Sequence, residues 1–153
     1  MDNVDRKILA LLQEDAALSI EKIAAKVHLS STPCWKRIRR LEKDGVIQKR
    51  VALLDAEKVG AGVTVFVAIK TNQHNREWLD HFANSVEDMP EILDFYRMSG
   101  EIDYLLRVVV SDIVAFDSFY QRLISRVPLS DVTSSFAMEK IKHTTALPIA
   151  TTE

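Results

Sequence analysis

The sequence predicts an α+β protein in two parts, a small helical module followed by a βαββαβ sheet domain. Three observations carry this. Apolar residues recur at helical spacing through the first part of the chain and stop at Gly45, while from Val63 the period changes to two. Strand and helix patterns then alternate as far as residue 141. Charge divides at nearly the same place, because residues 1–50 carry eleven Lys/Arg against seven Asp/Glu and residues 51–153 carry nine against fifteen. The two parts therefore suit different partners, the basic one a polyanion.

Composition narrows the class. A chain of 153 residues, 47% hydrophobic, can fill a core, and four Gly with four Pro argue against disordered or collagen-like chains. No run of 18 apolar residues occurs, and the charged start of the chain predicts no secretory leader, hence no membrane and a cytoplasmic location. The single cysteine excludes an intramolecular disulfide framework and fits a reducing compartment.

The elements follow in order. Val4, Ile8, Leu11 and Leu12 line a first helix over residues 4–14, with Asp2 or Asn3 available as its N-cap. Ser19 can cap a second, in which Ile20, Ile23, Ala24 and Val27 share one face. After a break at His28 and Leu29, Ser30 can cap a third helix that buries Cys34, Ile38 and Leu41 and ends at Gly45. Three short helices with tight connections, the last the most basic, is the pattern of a helix-turn-helix module. Residues 46–54 are β-prone and predict a short strand, and residues 51–62 form the linker and hinge, ending in Gly60 and Gly62.

In the second part, residues 63–70 predict a strand and residues 75–88 a helix with Trp78, Phe82 and Val86 on one face. Residues 91–98 and 103–110 predict strands at hairpin spacing. A helix over 112–126 places Ile113, Phe116, Phe119, Tyr120 and Leu123 on one side, and residues 131–141 give a last strand. The order is the ferredoxin-like arrangement, spanning residues 63–153. Two helices cover only one face of such a sheet, yet Phe66 and Ala68 make the first strand apolar on its other face as well. A second copy of the chain is the expected cover, giving a homodimer, although β-propensity alone is the plainer explanation.

Opposite the buried stripe, the third helix presents Ser31, Thr32, Trp35, Lys36, Arg39 and Lys43, with Arg37 and Arg40 pointing sideways. Hydroxyls and N–H groups at the helix start can hold a phosphate, and Arg and Lys can pair with phosphates or guanine edges. Trp35 can pack on a sugar or a thymine methyl, and Arg37 and Arg40 suit flanking backbone contacts. The face thus fits double-stranded DNA, against the plainer reading of a solvated basic surface.

These residues resemble a known family. Asp5-Arg-Lys-Ile-Leu, then Ser30-x3-Cys-x-Lys-Arg-Ile-x2-Leu-Glu-x2-Gly-Val-Ile47, is similar to the DNA-binding half of the leucine-responsive regulator/AsnC (feast/famine) transcriptional regulators. Gly100-Glu-Ile-Asp-Tyr-Leu-Leu106 is similar to the signature of their effector domain. The resemblance covers nearly the whole chain. It implies a winged helix-turn-helix domain over residues 1–50, a ferredoxin-like amino-acid-binding and oligomerisation domain over 63–153, dimers often built into octamers, and amino-acid ligands between effector domains. Cys34 departs from the small aliphatic residue usual at its position. Thr32-Pro-Cys-Trp-Lys-Arg, Phe95-Tyr-Arg-Met-Ser-Gly and Ser130-Asp-Val-Thr-Ser-Ser-Phe look most like the DecR branch, which responds to cysteine.

The turn Ser99, Gly100, Glu101, Ile102, Asp103, Tyr104 has its own logic. Gly100 permits a positive φ, turn N–H groups can receive a carboxylate, and Asp103 can pair with an α-ammonium. An ordinary hairpin turn, with Asp103 capping its own backbone, is the alternative. The resemblance sets the last strand opposite this turn, which makes Thr133, Ser134 and Ser135 the second wall of an effector site taking a small amino acid, with cysteine and leucine as candidates.

Other features carry less. Cys34 lies on the buried stripe and reads as a core residue more readily than as a redox sensor. His74, Glu77 and His81 share a helix face but read as solvated surface, so no metal or cofactor is expected. No phosphate-binding glycine loop, nucleophile elbow or paired catalytic carboxylates occur, and no reaction can be assigned. The sequence reads as a cytoplasmic, non-enzymatic DNA-binding transcriptional regulator responsive to a small amino acid. Its rival is the amino-acid-binding regulatory subunit of a metabolic enzyme.

Overall fold

The helix-turn-helix signals of the sequence become three helices, α1 (Asn3–Glu14), α2 (Ile20–Lys26) and α3 (Ser31–Lys43), in a computed structural model that describes residues 1–150. Asp2 caps α1 through a reciprocal capping box with Asp5, and Ser19 caps α2 by accepting from the Lys22 N–H. Ser30 stands at the N-cap of α3 with no side-chain cap bond. The turn between α2 and α3 is made by His28 at φ +56°, one of the few non-glycine types that tolerate the left-handed region. Gly45, at φ +73°, ends α3. Ile8, Ile23, Ala24, Val27, Cys34 and Ile38 form the core of this unit, the stripe the helical spacing predicts.

The strand expected over residues 46–54 is absent. The Val46 and Ile47 N–H groups fold back onto the Leu41 carbonyl, Val51, Leu53 and Leu54 are exposed, and the segment joins no strand of the sheet. Residues 55–60 form a turn in which Asp55 accepts from the Glu57 and Lys58 N–H groups.

The second unit contains β1 (Val63–Lys70), α4 (Arg76–Val86), β2 (Ile92–Arg97), β3 (Tyr104–Val110), α5 (Ile113–Arg126) and β4 (Asp131–Phe136). The antiparallel sheet has the order β2-β3-β1-β4, the ferredoxin-like topology. Val65, Val67, Ile69, Leu106 and Val108 face the helices and pack on Phe82, Phe119 and Leu123, all fully buried. Helical spacing puts Ile113 on the buried side of α5, but it is exposed. As the first residue of the helix, with Cβ tilted toward its N-terminus, it is carried past the sheet end at Val110. β4 stops at Phe136 instead of 141 because its partner runs out: Val65 pairs with Phe136, and the Ala137 N–H reaches Thr64 just inside the start of β1.

The chain divides into two units, Met1–Leu53 together with the tail from Ile141, and Leu54–Lys140. The sequence places this tail with the sheet domain, whereas its contacts group it with the helical unit. Having no sheet partner after Phe136, its backbone is instead taken up by α1: the Gln13 side chain exchanges hydrogen bonds of 3.2 and 2.7 Å with Leu147, and Arg6 donates to the Ala150 carbonyl at 3.0 Å. No helix among the described residues is long and apolar enough to cross a membrane.

Candidate nucleic-acid interface and effector site

Burial of Cys34, Ile38 and Leu41 fixes the rotation of α3 and leaves Thr32, Trp35, Lys36, Arg39, Arg40 and Lys43 exposed, with Ser31 half-buried. Lys36 and Lys43 enter no ion pair among the described residues and are available as cations. The Arg39 guanidinium lies 5.9 Å over the Trp35 ring and donates to Glu42 at 3.0 Å.

Arg37 and Arg40, expected at flanking DNA contacts, both pair with acids at the start of α1. Arg37 donates to Asp2 at 2.6 Å and to Asp5 at 2.8 Å, and Arg40 donates to the other Asp5 oxygen at 2.6 Å. Asp5 is fully buried. Two guanidiniums and the Asp2 N–H satisfy its carboxylate, so this cluster ties α3 to α1. The same two carboxylates hold Arg37 above its ordinary value. Asp5 is the residue that sequence reasoning missed. Its signal is a matched spacing, an acid at the N-cap of α1 and another three residues on, facing two arginines three apart on α3.

Cys34 is fully buried, and burial pushes its thiol up, against a smaller opposing influence from Arg37. It is a small core residue rather than a reactive thiolate.

In the second unit, the turn between β2 and β3 is closed by a bond from the Met98 N–H to the Asp103 carbonyl at 2.8 Å, and Gly100 at φ +129° occupies a conformation open to glycine. Ser99 and Gly100 are exposed at its tip, Ile102 and Asp103 half-buried. Asp103 does not cap its own turn. One of its carboxylate oxygens accepts from the Thr71 N–H at 2.8 Å, and the other lies 3.5 Å from His74 Nδ1. Beside it opens a cleft of about 140 Å³, lined by His74, Arg76, Arg97, Asp103 and Tyr104 among others. Tyr104 serves mainly as core, with its ring against Trp78, Phe82 and Phe95.

The hydroxyls of β4 do not join this cleft within one chain. Thr133 and Ser135 pair with Ala68 and Phe66 on the uncovered sheet face, whereas Ser134 pairs with Val67 on the helix side, and β1 separates all three from Asp103. His74, which the sequence reads as solvated helix surface with Glu77 and His81 but which lies in the loop before α4, and Arg97 on β2 are cleft residues that the fold alone brings together. Among the described residues no group of three or more His, Cys, Asp or Glu could hold a metal ion.

A buried stripe that turns a basic helix face outward, joined to a ferredoxin-like domain, defines a DNA-binding transcriptional regulator with a separate sensing domain. Comparison with known proteins gives the same class. Residues 1–48 match the family model for winged helix-turn-helix DNA-binding domains, and residues 64–147 match the Lrp/AsnC ligand binding domain. The chain is 58% identical over 150 residues to the DNA-binding transcriptional activator DecR of Escherichia coli K12, covering 97% of this chain and 99% of that protein. It is 49% identical to the glutamate uptake regulatory protein of Zymomonas mobilis, covering 99% and 93%. Among solved structures, an AsnC family transcriptional regulator from Agrobacterium tumefaciens superposes with a TM-score of 0.94 at 58% identity, covering 97% of each chain. A Neisseria meningitidis transcriptional regulator solved with L-methionine superposes at 0.91 and 37% identity, covering 97% and 96%. The chain belongs to the Lrp/AsnC family of transcriptional regulators, and its likeness to the DecR branch extends over nearly its whole length.

Proposed function

We propose that this regulator grips double-stranded DNA with the exposed face of α3, assembles as a homodimer through the uncovered sheet face, and changes DNA affinity or assembly when a small amino acid binds beside Asp103. The carrying observation is that Lys36, Arg39 and Lys43 stand exposed on a helix whose opposite side is locked into a core. Replacing Lys36 and Arg39 together by Ala should weaken DNA binding and flatten its salt dependence by about 0.9 in log–log slope for each phosphate that a subunit no longer neutralises. Both side chains are exposed, so the fold survives. Unchanged affinity and slope in a folded double variant would remove α3 as the interface.

For the effector, Arg97 and Asp103 on one small cleft offer a cation and an anion to the two ends of a zwitterion. The cleft is well below the roughly 300–1,000 Å³ of sites for drug-sized ligands, which favours a small metabolite. Similarity to DecR makes cysteine the first candidate and leucine the family alternative. Asp103→Asn keeps an oxygen for the Thr71 N–H while deleting the charge, so it should weaken the amino-acid response and leave ligand-free DNA binding intact. Calorimetry with cysteine, leucine and serine under reducing conditions checks both points: a wild-type response from Asp103→Asn rejects the site, and tighter leucine binding rejects cysteine. The chain acts in this reading without catalysis and in the cytoplasm.

A further inference from the structure

Arg37 and Arg40 are held by Asp2 and Asp5, whereas the other two arginines between residues 37 and 50 share a different acid. Glu42 accepts from Arg39 through one carboxylate oxygen at 3.0 Å and from Arg50 through the other at 3.2 Å. Arg50 lies beyond Gly45, in the irregular segment that forms no strand and outside the residues matched to the DNA-binding family model. We infer that Glu42 is a positioning residue that gathers Arg39 and Arg50 into one DNA-facing pair, Arg39 aimed at a base edge and Arg50 at a backbone phosphate. The inference rests on the DNA-binding reading of α3.

The physical argument begins with a cost. A carboxylate beside a polyanion repels it, and ion pairs as exposed as these add little to stability, with Arg39 64% and Arg50 44% exposed. What Glu42 supplies is order. Each guanidinium carries five N–H donors, and the bond to Glu42 uses one of them, so both forks remain free to meet a phosphate or a guanine edge. Arg39 is restrained from two sides, by the Trp35 ring beneath it and by Glu42. Arg50, with no strand to hold its backbone, is tied to the recognition helix through its ion pair with Glu42. Side chains ordered before binding lose less entropy when they bind.

This reading gives a sign that simple electrostatics reverses. If Glu42 were a bystander charge, Glu42→Gln would remove repulsion and tighten DNA binding. As a positioning residue, its loss weakens binding to the preferred sequence. The test titrates the full-length protein against two duplexes across a salt series, one enriched by the wild type from a random pool and one unselected. Glu42→Gln should weaken binding to the enriched duplex by about fivefold or more, with the unselected duplex much less affected. Arg50→Ala should lower the salt slope by about 0.9 for its phosphate in each subunit, and the effects of the two changes should be non-additive when combined. Arg50 sits in an irregular exposed segment, so this variant tests the inference even if Glu42→Gln perturbs α3. Equal or tighter binding by a folded Glu42→Gln, or an unchanged slope in Arg50→Ala, overturns the inference. A wild type that binds neither duplex would instead overturn the DNA reading beneath it.

Discussion

Asp5→Asn is expected to destabilise the helix-turn-helix unit by roughly 2–3 kcal/mol, a large effect for a change that preserves shape. The Asp5 carboxylate is fully buried and accepts from Arg37, Arg40 and the Asp2 N–H. Asn loses the charge and turns an NH2 donor toward groups that are themselves donors. The cost stays below that of a wholly buried ion pair because the arginine side chains, 28% and 51% exposed, can turn to water. Urea titration followed by Trp35 fluorescence in a Trp78→Phe background measures it, and a loss within a few tenths of a kcal/mol would show that the cluster is not what joins α1 to α3.

The same cluster predicts a contrast and a pH dependence. Arg37→Met should reduce stability while leaving the salt slope of DNA binding unchanged, whereas the Lys36 and Arg39 double variant does the opposite. Asp2, whose carboxyl is held down to about 2 by the Asp5 N–H and then by Arg37, has a folded value below its ordinary 3.8. Its contribution is therefore present above pH 3.8 and lost as the pH falls toward 2. Asp2→Asn should flatten the acid limb of the stability curve in that window.

How much was legible in the sequence follows from the range of the interactions. The helices and their buried stripes were readable because 3.6-residue spacing is a local property, and Cys34, Ile38 and Leu41 are buried as that spacing requires. Strand ends were not, because a strand exists only while a partner does: residues 46–54 find none, and β4 stops close to where its antiparallel partner β1 begins. The exposed face of α3 could be named residue by residue, yet sequence could not separate Arg37, bound to Asp2 and Asp5, from Lys36, which enters no ion pair among the described residues. Thr133, Ser134 and Ser135 looked like one wall, but the two-residue period of a strand sends Ser134 to the opposite face from its neighbours.

That alternation also decides the outcome of the strongest test of assembly. Phe66 and Val67 are adjacent on β1, and the pleat sends them to opposite sides of the sheet. Val67 is fully buried beneath the helices, so Val67→Asp puts an unpaired charge in the core, costs several kcal/mol and should leave little folded protein. Phe66 is 39% exposed on the uncovered face, beside Arg107, which pairs with Asp94, and opposite Ser135. Asp at this position remains in water in a lone chain and loses water only when a second sheet packs against it. Phe66→Asp should therefore yield a folded monomer with the helical content of the wild type. Sedimentation velocity with circular dichroism distinguishes the results, and a folded Phe66→Asp protein that remains a tight oligomer would move the dimer interface away from this face. DNA binding should weaken in parallel, because a monomer has only one recognition helix to set against the two half-sites a dimer can span.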